Sequence, residues 1–313
     1  MPTVGVVGLG LMGASFALAV KKARPELTIV GFDRDAATAL KAMDRGIASA
    51  AGTDLDVIDM ADVVVVAVPI LAMQDVLMSL RTHAAGKVVT DVASTKGSVM
   101  EWASGAGIDL VGGHPMCGRE SSGIDAADAG LFGGAPWILT RRDETVIGLV
   151  EAAGAHPLVM DAATHDRLVA GVSHAALLLS VGYVLALSGR ADWPEASKVA
   201  ASGFRDMSRL AAGDPAMSAG ITRTNRDNLL DQLDAISHSL ARLRRHLEAD
   251  DPRLVELFEE ARSVRERWST DVANSRPTPL RGELPPGGAG PGGASSRRTP
   301  LGPSPRRGEG GSP

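Results

Sequence analysis

A single cysteine, Cys117, stands in the 313-residue chain. That count excludes an internal disulfide framework and any four-cysteine zinc site. Aromatic residues are scarce at 3%, so a core has to be built from Val, Leu, Ile, Ala and Met. Positive charge is not in excess: the net charge is −5, which argues against a nucleic-acid binder. The basic start of a signal peptide is missing, and the chain enters a strand at once. A cytoplasmic protein is expected. Long apolar runs are missing as well. The most apolar stretch, Ala170 to Leu187, barely reaches membrane-spanning length and holds Ser173, His174 and Ser180. It reads better as a helix buried in a domain or subunit interface. Against these absences, 44% hydrophobic content and the length support two domains with full cores.

The first thirty-odd residues carry the strongest signal. Val4-Gly5-Val6-Val7 is a short strand-forming run. Gly8-Leu9-Gly10-Leu11-Met12-Gly13 follows, and Leu11 to Val20 reads as a helix. Strand, glycine turn and helix in this order give G-x-G-x-x-G its mechanism. Gly8 permits the tight turn, Gly10 lets a pyrophosphate approach the backbone, and Gly13 lets helix and strand pack closely. The helix N-terminus then offers free N–H groups to the phosphates. A second strand, Leu27 to Phe32, ends in Asp33, about 20 residues after the glycines, where a carboxylate accepts the adenosine ribose hydroxyls. A 2′-phosphate would meet that negative charge, so NAD is expected over NADP. Arg34 next to it works the other way.

Further strands alternate with helices. Asp35 is placed to cap a helix running to about Arg45. Val63 to Val68 is a β-branched run suited to a parallel strand covered on both faces. It stops at Pro69, and Val68 and Pro69 are placed beside the cofactor. Ile70 to Leu80 reads as a helix, Val88 to Val92 as a strand, Thr95 to Ala103 as a helix, and Asp109 to Gly113 as a strand ending at His114-Pro115. Trp137 to Thr140 and Pro157 to Met160 add short strands around a helix from Asp143 to Ala153. This alternation specifies an α/β fold with a Rossmann-type doubly wound parallel sheet. From Thr164 to about Thr270 the periodicity is helical, punctuated by Pro194, Gly213-Asp214-Pro215 and Asp250-Asp251-Pro252. The expected organisation is a dinucleotide-binding domain over 1–161 and an all-helical substrate and dimerisation domain over 162–272. Its long apolar helix needs more partners than one small bundle supplies, which points to a homodimer. Residues 273–313 turn to Pro, Gly, Ser and Arg and are expected to be a disordered tail. From Arg276 the tail carries six Arg against two Glu, a charge of +4 that leaves −9 for the rest.

In a doubly wound sheet the ligand lies beyond the carboxyl ends of the strands. Two strand ends there give Ser94 and His114. A neutral His is the natural acceptor for a hydroxyl proton near neutral pH. Ser94 is placed to orient it, and also to cap the Thr95 helix. The helical part supplies His165-Asp166, then Ser173-His174 about two turns on, and Gly203-Phe204-Arg205-Asp206-Met207-Ser208-Arg209. Asp206 and Arg209 share a helix face. They form either a surface ion pair or a fork aimed at a substrate carboxylate, and spacing alone does not choose.

These pieces together resemble the prephenate/arogenate dehydrogenase family of tyrosine biosynthesis, over roughly residues 3–270. The resemblance rests on G-L-G-L-M-G at 8–13, D-V-A-S-T-K at 91–96, G-H-P-M-C-G at 113–118 with Glu120 just beyond, H-D at 165–166, S-H at 173–174 and G-F-R-D-M-S-R at 203–209. It implies oxidative decarboxylation of a cyclohexadienyl substrate with NAD and no metal. By resemblance, His114 accepts the ring hydroxyl proton and Ser94 bridges His114 and the nicotinamide. Arg209, supported by Asp206, holds the ring carboxylate. His174 lines the pocket, and Glu120 and Asp166 help to close it. Arg119, five residues after His114, is placed to face the substrate's side chain. Its charge favours the pyruvyl carboxylate of prephenate over arogenate. Departures from the family pattern, Leu177 for a second histidine, Arg119 for Thr and Ser218 for Trp, all concern that side-chain end of the pocket. Two other classes fit less well. A β-hydroxyacid dehydrogenase would carry G-x-x-G-x-G-x-x-x-K at the start of its helical domain, and no such segment stands near Gly171. A non-catalytic dinucleotide sensor has no need of His114, Ser94 and Arg209 together.

Overall fold

Short β-branched runs become the strands β1 (Thr3–Val7), β2 (Thr28–Phe32), β4 (Val63–Val66), β5 (Val88–Asp91) and β6 (Leu110–Val111), and the unread Ala-Ala-Gly stretch becomes β3 (Ala50–Gly52), in the computed structural model, which describes residues 2–119 and 121–275. They form one parallel sheet in the order β3-β2-β1-β4-β5-β6. The strand order reverses at β1, where Gly5 pairs with Val30 on one side and Val64 on the other. Ligands bind at such a switch point in open α/β sheets. Alternation along β4 divides the interior: Val63 and Val65 enter a core with Val4, Phe16 and Trp137, while Val64 and Val66 enter a second core with Val7, Met73 and Leu77. Period-two side chains of a strand covered on both faces produce this split.

Helices α1 (Leu11–Ala23), α2 (Ala36–Asp44), α3 (Ile70–Leu80), α4 (Gly97–Gly105) and α5 (Glu144–Ala152) pack around the strands. Asp35 caps α2 through the Ala37 N–H, and Asp143 caps α5 through the Thr145 and Val146 N–H groups.

The expected strand from Asp109 to Gly113 divides at Gly112. Gly113 to Pro115 leave the large sheet and form β7 (Gly113–Pro115), which pairs antiparallel with β8 (Pro136–Leu139); β8 pairs parallel with β9 (His156–Val159). The strands read at Trp137 and Pro157 therefore belong to a separate three-stranded sheet. The cause is local. The Gly113 N–H is drawn to the Asp91 carboxylate at 2.9 Å, and a Cβ at Gly113 would stand 2.4 Å from the Asp91 carbonyl oxygen. Only glycine allows the chain to cross β5 this closely and turn into a new ladder.

After β9 the described chain is helical: α6 (Ala162–Val169), a π-helical turn (Ala170–His174), α7 (Ala175–Ser188), α8 (Trp193–Ala196), α9 (Ser202–Ser208), α10 (Pro215–Thr224), α11 (Arg226–Glu248) and α12 (Arg253–Ser275). Helix α10 packs hard on α3, since a Cβ at Gly220 would fall 2.1 Å from Ile70 Cγ2. Residues 1–259 make one compact unit. The continuous helix 162–188 is long and apolar enough to cross a membrane by length and composition alone. Its buried His165, Asp166 and His174 instead join it to the sheet below. On α7, only Ala175, Leu177 and Ser180 are buried, and Leu185 is 64% exposed. The tail expected over 273–313 gives up its first three residues to α12, which continues to Ser275, and residues 276–313 lie outside the described residues.

Candidate active site

The glycine loop has the shape its sequence requires. Gly8 has φ +95°, and a Cβ there would meet the Ala67 carbonyl oxygen at 2.5 Å. A Cβ at Gly13 would lie 1.9 Å from the Gly8 oxygen. Gly10 differs: its Cβ would point into open space, with no atom within 4 Å. It occupies the N-cap of α1, no side chain caps the helix there, and the first turn carries no acid. The helix N-terminus is thus left bare for an anion, as dinucleotide binding requires. Leu11 and Met12 are half-buried in that turn, Val68 is half-buried at the end of β4, and Pro69 is exposed beside it.

Asp33 is tied to the loop. Its Oδ2 accepts the Leu9 N–H at 2.8 Å and its Oδ1 the Asp35 N–H at 2.9 Å. Each oxygen keeps a lone pair for a ribose hydroxyl. Arg34 points to solvent. Open backbone at Gly10, a free helix N-terminus and an acid at the next strand end fit NAD.

Across the sheet edge, β7 delivers His114. Its ring is buried at 8% exposure, and its Nδ1 lies 2.8 Å from Nε2 of His165 on α6. Nδ1 of His165 in turn lies 2.7 Å from Asp166 Oδ1. Asp166 is anchored on the start of α4: Oδ1 accepts the Lys96 N–H at 2.7 Å and Oδ2 the Gly97 N–H at 2.8 Å. His114 Nε2 makes no hydrogen bond with a described residue. Burial holds the His114 imidazole well below its ordinary value, with the charges of Lys96, His165 and His174 adding to the effect. Burial also raises the Asp166 carboxyl, but bonds from His165, Lys96 and Gly97 outweigh it and leave Asp166 below the usual carboxylate value.

Lys96 is fully buried. Its ammonium donates to Asp91 and to the carbonyl oxygen of Gly113, the residue before His114. Asp91 also accepts the Ala93 and Gly113 N–H groups at 2.8 and 2.9 Å. This clamp joins the Ser94 loop to the His114 strand. Burial pulls the Lys96 ammonium below the ordinary lysine value, and Asp91 pulls it back.

The π turn explains how His174 reaches the same centre. His165 and His174 are nine residues apart, which in an uninterrupted α-helix is about 900°, half a turn out of line. The Ala175 N–H bonds the Ala170 oxygen five residues back, and such a bulge inserts one residue into the helical register. His174 is thereby set back by about 100° toward Asp166. Asn225 joins the two, its amide donating to the Asp166 carbonyl oxygen at 2.8 Å and to His174 Nδ1 at 3.1 Å. His174 is 2% exposed, burial pushes it down to about 4, and its Nε2 is buried without a partner. With Nδ1 accepting, Nε2 carries the proton, and this buried donor has no acceptor among the described residues.

The other expected residues are placed as follows. Ser94 is half-buried and makes no hydrogen bond to His114. His165 takes the orienting place that the sequence assigns to Ser94. Nor does Ser94 cap a helix: α4 starts at Gly97 rather than Thr95, because Asp166, from another element, supplies the acceptors for its first N–H groups. Arg119 is paired with Asp128, whose backbone N–H is held by Ser15 of α1 at 3.0 Å. Asp206 and Arg209 are both exposed, the former within α9 and the latter at its end. Ala211 two residues on bonds Ser180 of α7 at 3.0 Å, so that turn lies on the helix that follows His174. Glu120 lies outside the described residues. Reading the sequence misses Asn225, which occupies an N-cap position and does not cap. It also misses the buried Lys96 clamp, for which the only signal is a lysine among strand-end residues.

Comparison with known proteins agrees with this architecture. The family model for the prephenate dehydrogenase nucleotide-binding domain matches residues 16–156, and that for the prephenate dehydrogenase dimerization domain matches 161–260. Prephenate dehydrogenase of Lactococcus lactis subsp. cremoris is 32% identical over 274 residues, covering 85% of this chain and 77% of its own length. The crystal structure of prephenate dehydrogenase from Aquifex aeolicus with hydroxyphenyl propionate and NAD+ superposes with TM-score 0.80 at 28% identity, over 85% of this chain and 98% of that one. The Synechocystis arogenate dehydrogenase structure gives TM-score 0.74 at 31% identity, over 85% and 99%.

Proposed function

The chain belongs to the prephenate dehydrogenase family, and from that premise we propose that it catalyses the NAD-dependent oxidative decarboxylation of prephenate to 4-hydroxyphenylpyruvate in tyrosine biosynthesis. The observation that carries this reading is His114: a buried imidazole on β7, held neutral, with Nε2 left for a substrate. Bound NAD supplies the hydride acceptor. His114 Nε2 takes the ring hydroxyl proton as the carbinol carbon becomes a carbonyl. The bond to the ring carboxylate then breaks, CO2 leaves, and its electron pair aromatises the ring. His174 offers its Nε2–H to a substrate oxygen, and Arg209 pairs with the ring carboxylate. Burial of His174 keeps its interaction strong.

Prephenate is preferred over arogenate. A neutral His174 donor favours an oxygen at the side-chain end over an ammonium. Arg119 shares its charge with Asp128, so its pull on the pyruvyl carboxylate is weaker than an unpaired arginine would give. The test is the ratio of kcat/KM values for prephenate and arogenate, each with NAD and with NADP. Prephenate with NAD is expected to lead. A ratio favouring arogenate tenfold, about 1.4 kcal/mol, would overturn the choice.

The chain works as a cytoplasmic homodimer divided at Asp161, with α7 and α11 at the subunit contact. Leu185, Leu230, Leu240 and Leu247 are exposed apolar residues on those helices, and the matched family model is one of a dimerization domain. Light scattering should give twice the chain mass.

A further inference from the structure

We propose that His165 and Asp166 are positioning residues that set the tautomer of His114, forcing its proton onto Nδ1 and leaving Nε2 as the base. The inference rests on the reading of His114 as the base and adds the reason that one particular nitrogen is basic.

The chain of donors has a single consistent direction. The Lys96 and Gly97 N–H groups can only donate, so they require acceptors on both Asp166 oxygens. His165 Nδ1 lies 2.7 Å from Oδ1 of that carboxylate and must donate to it. With a single N–H on His165, used on Nδ1, its Nε2 is a bare acceptor. His114 Nδ1 faces it at 2.8 Å and must donate in turn. The one proton of neutral His114 is then used on Nδ1, and Nε2 is unprotonated. His165 is completely buried, so solvent cannot replace either bond.

The groups packed around the pair agree. Lys96 from the β5 loop and His174 from the π turn both oppose a second proton on His114. Asn225, between α10 and α11, donates to the Asp166 carbonyl oxygen, which fixes the backbone of the anchoring residue. The edge-to-face contact of the His114 and His165 rings, with centroids 5.0 Å apart and planes at 72°, points one ring nitrogen at the other. When Nε2 accepts a proton, the imidazolium charge is stabilised through His165 toward the Asp166 carboxylate. No proton has to move along the chain.

The direct test is two-bond 1H–15N correlation of the 15N-histidine-labelled protein near neutral pH, with His114 assigned from the spectrum of His114→Asn. The expected pattern is Nδ1 protonated and Nε2 bare at His114. Nε2–H at His114, or a doubly protonated His165, would overturn the proposal. Kinetics give a second arm. His165→Leu removes the acceptor and should lower kcat roughly 10²–10⁴-fold with the KM values for substrate and NAD almost unchanged. His165→Gln keeps an acceptor oxygen and should recover much of that loss. A folded His165→Leu protein with wild-type kcat, or loss in both variants with a raised KM and no rescue, would also overturn it. If the leucine variant does not fold, the wild-type spectrum still decides. A wild-type enzyme inert toward prephenate would sink the functional reading instead, and the spectrum would still fix the tautomer.

Discussion

The carboxylate of Asp166 accepts the backbone N–H of Gly97 from 69 residues further along the chain, at 2.8 Å. A methyl group on Gly97 would stand 3.0 Å from that same oxygen. Gly97→Ala therefore has to move Asp166 by a few tenths of an ångström. Overpacking costs about 1–3 kcal/mol, while alanine at a helical position gains up to about 1 kcal/mol. The expected result is a small loss of stability and a clear loss of kcat, because the shift passes to His165 and His114. Unchanged turnover would show that the carboxylate has slack.

His114→Asn should fold and bind NAD, and lose roughly 10²–10⁴-fold in turnover, the usual share of a general base. Stopped-flow or steady-state assays at neutral pH measure it. Wild-type turnover would remove His114 from the chemistry.

Acid should weaken the fold. His114 and His174 are held below the ordinary imidazole value, the latter at about 4. Between that value and about 6.5 the unfolded chain binds more protons than the native one, so stability rises with pH across the window and falls as pH drops through it. Each group contributes at most about 1.4 kcal/mol per pH unit. Urea midpoints should be lower at pH 5 than at pH 7, and His174→Asn should flatten the difference. The acidic limb of kcat/KM should lie below about 6.5. A limb above that value would assign the titration to another group.

Gly10→Ala places its methyl in open space, at φ −71° and ψ −160° that alanine accepts. The melting temperature should not fall, and NAD should bind tenfold or more weakly, about 1.4 kcal/mol. Equal NAD affinity by calorimetry would mean that the pyrophosphate lies elsewhere.

Arg209→Ala should raise KM for prephenate tenfold or more and leave the dissociation constant of NAD alone. A KM within a factor of two of the parent would place Arg209 outside the substrate contact.

Much of this was legible in the residues. G-L-G-L-M-G between a strand and a helix, with Asp33 one strand later, is a local pattern with a local cause, and the structure holds it as read. The parallel sheet followed from β-branched runs alternating with helices, two of them capped by Asp35 and Asp143. What escaped reading depends on contacts between distant segments. Gly113 leaves the sheet because Asp91 draws its N–H, and α4 starts two residues late because Asp166 caps it from another element. The π turn has no sequence signature in Ala170-Gly171-Val172-Ser173-His174, yet it decides which way His174 faces. Asn225 reads as an ordinary helix start until its amide is seen between Asp166 and His174. The same holds for His114: strand position nominated it, but its orienting partner turned out to be His165 instead of the nearer candidate Ser94.

The order of synthesis has a bearing on the Lys96 clamp and the Asp166 anchor. Of the residues that hold the His114 backbone, Asp91, Lys96 and Gly113 are made before it, and β8, which pairs with it through Ile138, follows. The residue that meets its ring, His165, is made later, and so are Asp166 and Asn225 behind it. A chain made only as far as β8 therefore has His114 and its pairing strand but lacks the His165 nitrogen that its ring meets. On the reading of His114 as the base, a product truncated before the helical half has the glycine loop and Asp33 and lacks the partner that fixes which nitrogen is basic.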